Sequence, residues 1–144
     1  MHTDHTKLQA PKTEHAQSQK GSVLVEFALI LPLFLLLLFG VISFSVALYN
    51  KTVLTMATRE GARAGAKYVS GRTSASSKSS AIAAATTACQ NSLISFGGGM
   101  NPAVTTNADP VTDNFITVTA KYNYTGLYVF SGLLISAQTS MRLE

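Results

Sequence analysis

Between Lys20 and Lys51 the chain carries a single charged residue, Glu26. It stands at the head of an uninterrupted apolar run, residues 27–49, reading FALILPLFLLLLFGVISFSVALY. An ionised carboxylate in hydrocarbon costs several kcal/mol unless it is paired, so a lone acid at the edge of such a run marks a functional position. Two chemistries fit. At a membrane interface the carboxylate reaches water and is stabilised by the positive end of its helix. Alternatively, a protease cuts after Gly21; Ser22 then bears a new amino group, and Glu26 lies one helical turn below it. That cation can pair with its own Glu26 or with the Glu26 of a neighbouring helix. The spacing alone leaves both open.

Other reactive side chains form no constellation. His2, His5 and His15 are irregularly spaced in a polar segment, residues 1–21, that reads as a solvated tail, so no metal or cofactor is expected. Cys89 is the only cysteine, which excludes an intrachain disulfide, and it falls on an apolar helical face as a buried structural thiol would. No GxSxG, HExxH, P-loop or dinucleotide motif occurs, and no enzyme activity is expected. Asn50-Lys-Thr and Asn123-Tyr-Thr match a glycosylation sequon, a pattern frequent by chance.

The elements that position Glu26 follow from composition. The chain has 144 residues, 47% hydrophobic but only 12% charged, with a net charge of +4; a soluble domain usually carries about 25% charged residues. The mean hydropathy is +0.24. These values point to a membrane protein with a lipid-bilayer partner, and the basic residues form no patch for nucleic acid. At about 1.5 Å per residue, the run 27–49 makes a helix of roughly 34 Å, enough for a hydrocarbon core of about 30 Å. Pro32 removes one backbone bond within it. Residues 1–21 bury too little to order themselves and are expected to be disordered. The helix is expected over 22–69, with Val53, Met56 or Ala57, Ala64 and Tyr68 recurring at helical spacing. Ala57, Gly61 and Gly65 fall at i, i+4 and i+8, a stripe that lets another backbone approach closely.

Residues 70–144 are expected to form a small α+β domain. SGRTSASSKSS reads as a serine-rich linker. AIAAATTACQNSLISF reads as a second helix with Ile82, Ala85, Cys89 and Leu93 on one face, ended by a glycine triplet and Pro102. A weak strand at 103–107 is followed by alternating runs at 115–124 and 134–143. Ile116, Val118, Ala120 and Tyr122 share one face of the former. The pattern fits a small antiparallel sheet with a helix on its apolar face.

These residues also resemble a known family. Gly21, four residues, then Glu26 at the head of a long apolar helix is similar to the processing site of type IV prepilins. The wider run Val25-Glu26-Phe27-Ala28-Leu29-Ile30-Leu31-Pro32, followed by Ala57-Thr58-Arg59-Glu60-Gly61-Ala62-Arg63, resembles TadE-like pseudopilins of the tight adherence (Tad, Flp) pilus system. The resemblance extends over about residues 20–144 and is densest over 21–66. It implies cleavage after Gly21 by a prepilin peptidase of the bacterial inner membrane. Ser22 would be the first mature residue and Glu26 the acid five residues in, with Phe27 where Tad-type sites often carry tyrosine. It further implies a leader in the cytoplasm, a periplasmic or extracellular C-terminal domain, and partners among other pilins, pseudopilins and the Tad secretion machinery. Charge does not fix this orientation: Lys7, Lys12 and Lys20 precede the run, while Lys51, Arg59, Arg63 and Lys67 follow it.

Two functions therefore compete. One is a minor pilin or pseudopilin acting in assembly of a pilus for surface adherence. The other is an uncleaved single-span protein presenting a small binding or sensor domain, in which Gly21 and Glu26 are incidental.

Overall fold

The computed structural model describes residues 15–97, 99–126 and 131–144; the side chains of 15–20 and 131 are outside that description. His2, His5 and the leader up to residue 14 therefore lie outside the described residues. The elements are α1 (His15–Ala66), α2 (Ser74–Cys89), β1 (Ala103–Thr106), α3 (Pro110–Asp113), β2 (Phe115–Thr125) and β3 (Ser131–Arg142). This is an α+β fold: a long N-terminal apolar helix, a second helix and a three-stranded antiparallel sheet in the order β1-β2-β3. The chain divides into two compact units, Met1–Leu38 and Phe39–Glu144.

The described part of the first unit is α1 alone. Every side chain from 21 to 38 is exposed, and the helix continues through Pro32. It begins at His15, inside the segment expected to be disordered. Alanine, glutamine and lysine at 16–20 are good helix formers, and extending an existing helix avoids the cost of nucleation.

The second unit is built around the remainder of α1. Ser43, Ala47, Asn50, Leu54, Ala57, Gly61 and Gly65, spaced three or four residues apart, are buried. Of the series read at helical spacing, Val53 and Ala57 are buried, whereas Met56 and Tyr68 are exposed at 63% and 68%. The helix ends at Ala66 rather than 69, where the Ala66 carbonyl accepts from Arg72 Nη2 at 2.9 Å and from the Glu144 N–H at 3.3 Å. Capture of a terminal carbonyl by a side chain and a distant strand end replaces the next helical bond.

The sheet follows its sequence pattern. Ile116, Val118, Ala120, Tyr122 and Tyr124 of β2 are all buried and alternate with outward residues. Ala120 pairs with Ala137 and Tyr122 with Ile135, so the small and large pairs of β2 and β3 line up on the face covered by the helices. The second helix departs from expectation. It starts at Ser74, within the supposed linker, and ends at Cys89, so Leu93 follows it and is buried from a loop. Thr73 caps it: its hydroxyl accepts from the Ser76 N–H at 3.2 Å, and Ser76 Oγ accepts from the Thr73 N–H at 3.0 Å. This reciprocal box satisfies two backbone donors at the helix start, which is why a serine-rich stretch begins a helix here. Its buried face is Ser77, Ala81, Ala85 and Cys89, and Ile82 is only half-buried.

Candidate processing and packing sites along the first helix

At the N-terminal junction, Gly21, Ser22, Glu26 and Phe27 all lie on α1 and are exposed. A side chain added at Gly21 would meet nothing within 4 Å. Ser22 and Glu26 are four residues apart, hence neighbours on one helical face. Among the described residues Glu26 has no hydrogen-bond or ion-pair partner.

Further along, Gly61 and Gly65 face α2, and Ala57 is buried in the core cluster that includes Cys89. A Cβ at Gly61 would lie 2.7 Å from the Ala81 carbonyl oxygen and 2.8 Å from Ala85 Cβ. One at Gly65 would lie 2.5 Å from Ile116 Cδ1, 2.9 Å from Ala81 Cβ and 3.0 Å from the Ser77 carbonyl oxygen. The backbone that approaches the stripe is therefore that of the chain's own second helix, whose small residues match those of α1. The segment Ala57-Thr58-Arg59-Glu60-Gly61-Ala62-Arg63 divides accordingly: Ala57, Thr58, Gly61 and Ala62 are buried, while Arg59, Glu60 and Arg63 are exposed. Glu60, Arg63, Lys67 and Met141 line an open cleft of about 510 Å³.

Three contacts of α1 were not read from the sequence. Asn50 is fully buried; its Nδ2 donates to the Ile94 carbonyl at 2.7 Å and its Oδ1 accepts from the Ile94 N–H at 2.9 Å. The amide thus serves as a one-residue strand partner for the loop after α2, and it is closed to glycosylation in the folded chain. Thr58 Oγ1 lies 2.9 Å from Thr139 Oγ1 of β3. Lys51 Nζ donates to the Ser136 carbonyl of the same strand. The available signal was position: Asn50 lies on the line Ser43, Ala47, Leu54, where a polar residue calls for a partner.

Cys89 is buried, and desolvation pushes its thiol above the ordinary value, so it is held in its unreactive form. Asp109 is pulled below the usual carboxylate range by hydrogen bonds, first from Ser74 Oγ and then from the Thr112 hydroxyl and N–H. These ties join the start of α2 to α3, which Asp109 caps. No group of three or more potential metal ligands occurs among the described residues.

Residues 21–63 match the family described as TadE-like protein. No match to the chain was found among curated proteins or among solved structures. The family match begins at Gly21 and ends at Arg63, so it contains both the junction and the Arg-Glu-Gly-Ala-Arg segment. Gly65, α2 and the sheet lie beyond it.

Proposed function

We propose, from the TadE-like character of residues 21–63, that the chain is a minor pilin or pseudopilin of a Tad pilus system, cleaved after Gly21 by a prepilin peptidase and acting in assembly of a fibre used for adherence. The observation that carries the proposal is the coincidence of two features at one point. The family match starts at Gly21, and Glu26, the one charged residue between Lys20 and Lys51, lies five residues on at the head of the apolar run. Only 6% of the most apolar 18-residue window of α1 is buried, unlike the core helix of a soluble protein.

Burial also bears on where lipid contact ends. Ser43, Ala47 and Asn50 lie beneath the α+β unit, so the turns from 43 onward are not ringed by lipid. A span of about 20 residues counted back from there covers roughly 22–42 rather than 27–49. In that frame Glu26 lies a turn inside the hydrocarbon boundary, where an unpaired carboxylate is costly. An amino group created at Ser22 supplies its mate, on the same helix or on a neighbour. The role is structural: binding and orientation of subunits, with the leader cytoplasmic and residues 43–144 on the far side of the inner membrane.

The test is intact-mass and N-terminal analysis of protein from cells with and without the peptidase. The proposal expects loss of residues 1–21 only where the peptidase is present, and loss of processing in Gly21→Ala. A full-length mature chain in both strains overturns it in favour of an uncleaved anchor.

A further inference from the structure

The second unit carries an apolar surface that its own core does not use. Phe44 and Leu48 of α1 are exposed at 61% and 53%, and Leu133 and Leu134 of β3 at 47% and 63%. With Ala47, Lys51, Ile135 and Ser136 they line one shallow trough of about 280 Å³. On a half-buried strand the outward positions should be polar. Outward residues of β3 are Ser136, Gln138, Ser140 and Arg142, all polar, and Leu134 breaks the pattern at the end nearest α1's apolar turns. Helix α1 shows the same gradient. Its exposed side chains are Phe44, Ser45, Leu48 and Tyr49, mostly apolar or aromatic, then Lys51, Thr52, Met56, Arg59, Glu60 and Arg63, mostly polar or charged. Two elements distant in sequence thus change from apolar to polar at one level, and that level is marked by the bond from Lys51 Nζ to the Ser136 carbonyl.

We infer that this end of the α+β unit is a lipid-contacting surface that rests in the headgroup–acyl boundary of the bilayer spanned by α1. The inference rests on the proposed span of 22–42. The chain leaving the bilayer at about residue 42 must place Phe44 and Leu48 at the membrane surface, because only a turn or so of helix separates them from it. An apolar face with an aromatic ring and a lysine at its polar edge is the side-chain pattern of a membrane interface. Lys51 is the one charged residue on the trough, and its ammonium suits lipid phosphate. From Tyr122 to Met141 the sequence has no charge that contact with lipid would strand. A protein partner requires neither the shared level of the two gradients nor continuity with the spanning turns.

The full chain, which lacks tryptophan, is tested with single tryptophans in phosphatidylethanolamine–phosphatidylglycerol vesicles. Leu134→Trp reports the trough, Leu35→Trp the span, and Phe115→Trp the opposite end of the sheet, where Phe115 pairs with Arg142. Protection of Cys89 from alkylation confirms that each variant is folded. The expected result is a blue-shifted Leu134→Trp emission that loses most of its intensity when the lipids are brominated near the glycerol end of their acyl chains. Phe115→Trp should be unaffected. The inference is overturned by a water-like, unquenched Leu134→Trp alongside a quenched Leu35→Trp. It is equally overturned if Leu134→Trp is blue-shifted but insensitive to brominated lipid and reverts on dilution with excess lipid, which identifies a second copy as the occupant. An unquenched Leu35→Trp overturns the span and the surface together.

Discussion

Replacing Gly61 by alanine tests the closeness of the two helices, because two effects of opposite sign compete there. On a free helix the change stabilises by about 1 kcal/mol, since glycine has the greater backbone entropy to lose. In this fold the new Cβ would lie 2.7 Å from the Ala81 carbonyl oxygen and 2.8 Å from Ala85 Cβ. The first neighbour is backbone, so relief requires α2 itself to move. Overpacking of this kind costs about 1–3 kcal/mol, which leaves Gly61→Ala destabilising by about 1 kcal/mol. Gly65→Ala differs in kind, because its tightest neighbour is the tip of a side chain, Ile116 Cδ1 at 2.5 Å. Ile116→Val deletes that atom at an ordinary cost of about 0.5–1.5 kcal/mol. In the Gly65→Ala background the same change should cost less, with a coupling of about 0.5 kcal/mol or more. The assay is denaturant unfolding in detergent together with the alkylation rate of Cys89, the sole cysteine, which sits on the α2 face at this contact. Gly97→Ala, with nothing within 4 Å of the added Cβ, is the neutral control. If Gly61→Ala raises the midpoint and leaves Cys89 protected, the helices are not in the close contact described.

Three further outcomes follow from the same structure. Asn50→Ala strips both partners from Ile94 and should cost about 2 kcal/mol, because a part-buried N–H and carbonyl lose their bonds; proteolysis of the loop after α2 should quicken, and unchanged cleavage would count against the clamp. Asp109 has a native pKa below its unfolded value, so its contribution is full above about pH 4 and is lost as pH falls through the lowered native pKa. Asp109→Asn should therefore be less stable at neutral pH and lose less on acidification; identical acid profiles for the two proteins would refute the role of its hydrogen bonds. Glu26→Ala should leave some processing but impair recovery in the assembled fibre, and normal assembly would rule out the proposed charge pairing.

The parts of this fold written as a simple period were legible in advance. Strand β2 alternates strictly, and residues 116, 118, 120 and 122 point inward as their pattern requires. The apolar run announced itself by length and lack of charge. What hid was structure built from small or polar residues. The face Ser77, Ala81, Ala85 and Cys89 carries little hydrophobicity because it meets Gly61 and Gly65, so the start of α2 looked like a linker when scored by composition. Its capping box was present as Thr73 and Ser76 and went unread. Asn50 looked like part of a sequon because nothing in one dimension distinguishes a buried amide from a surface one. Helix α3 was signalled by Asp109 followed by Pro110, a cap and a first-turn proline.

The same limit bears on the proposed span. Hydropathy rates Val46 much as it rates Leu35 and Leu36, because it cannot tell an apolar side chain facing lipid from one facing a protein core. Burial separates them: Val46 packs against the α+β unit's own core beside the buried Ala47, and one turn earlier Tyr124 donates its hydroxyl to the Ser43 carbonyl at 3.3 Å. No linker intervenes between the apolar helix and this core, since residues 43–66 belong to α1 and also supply one wall of the domain.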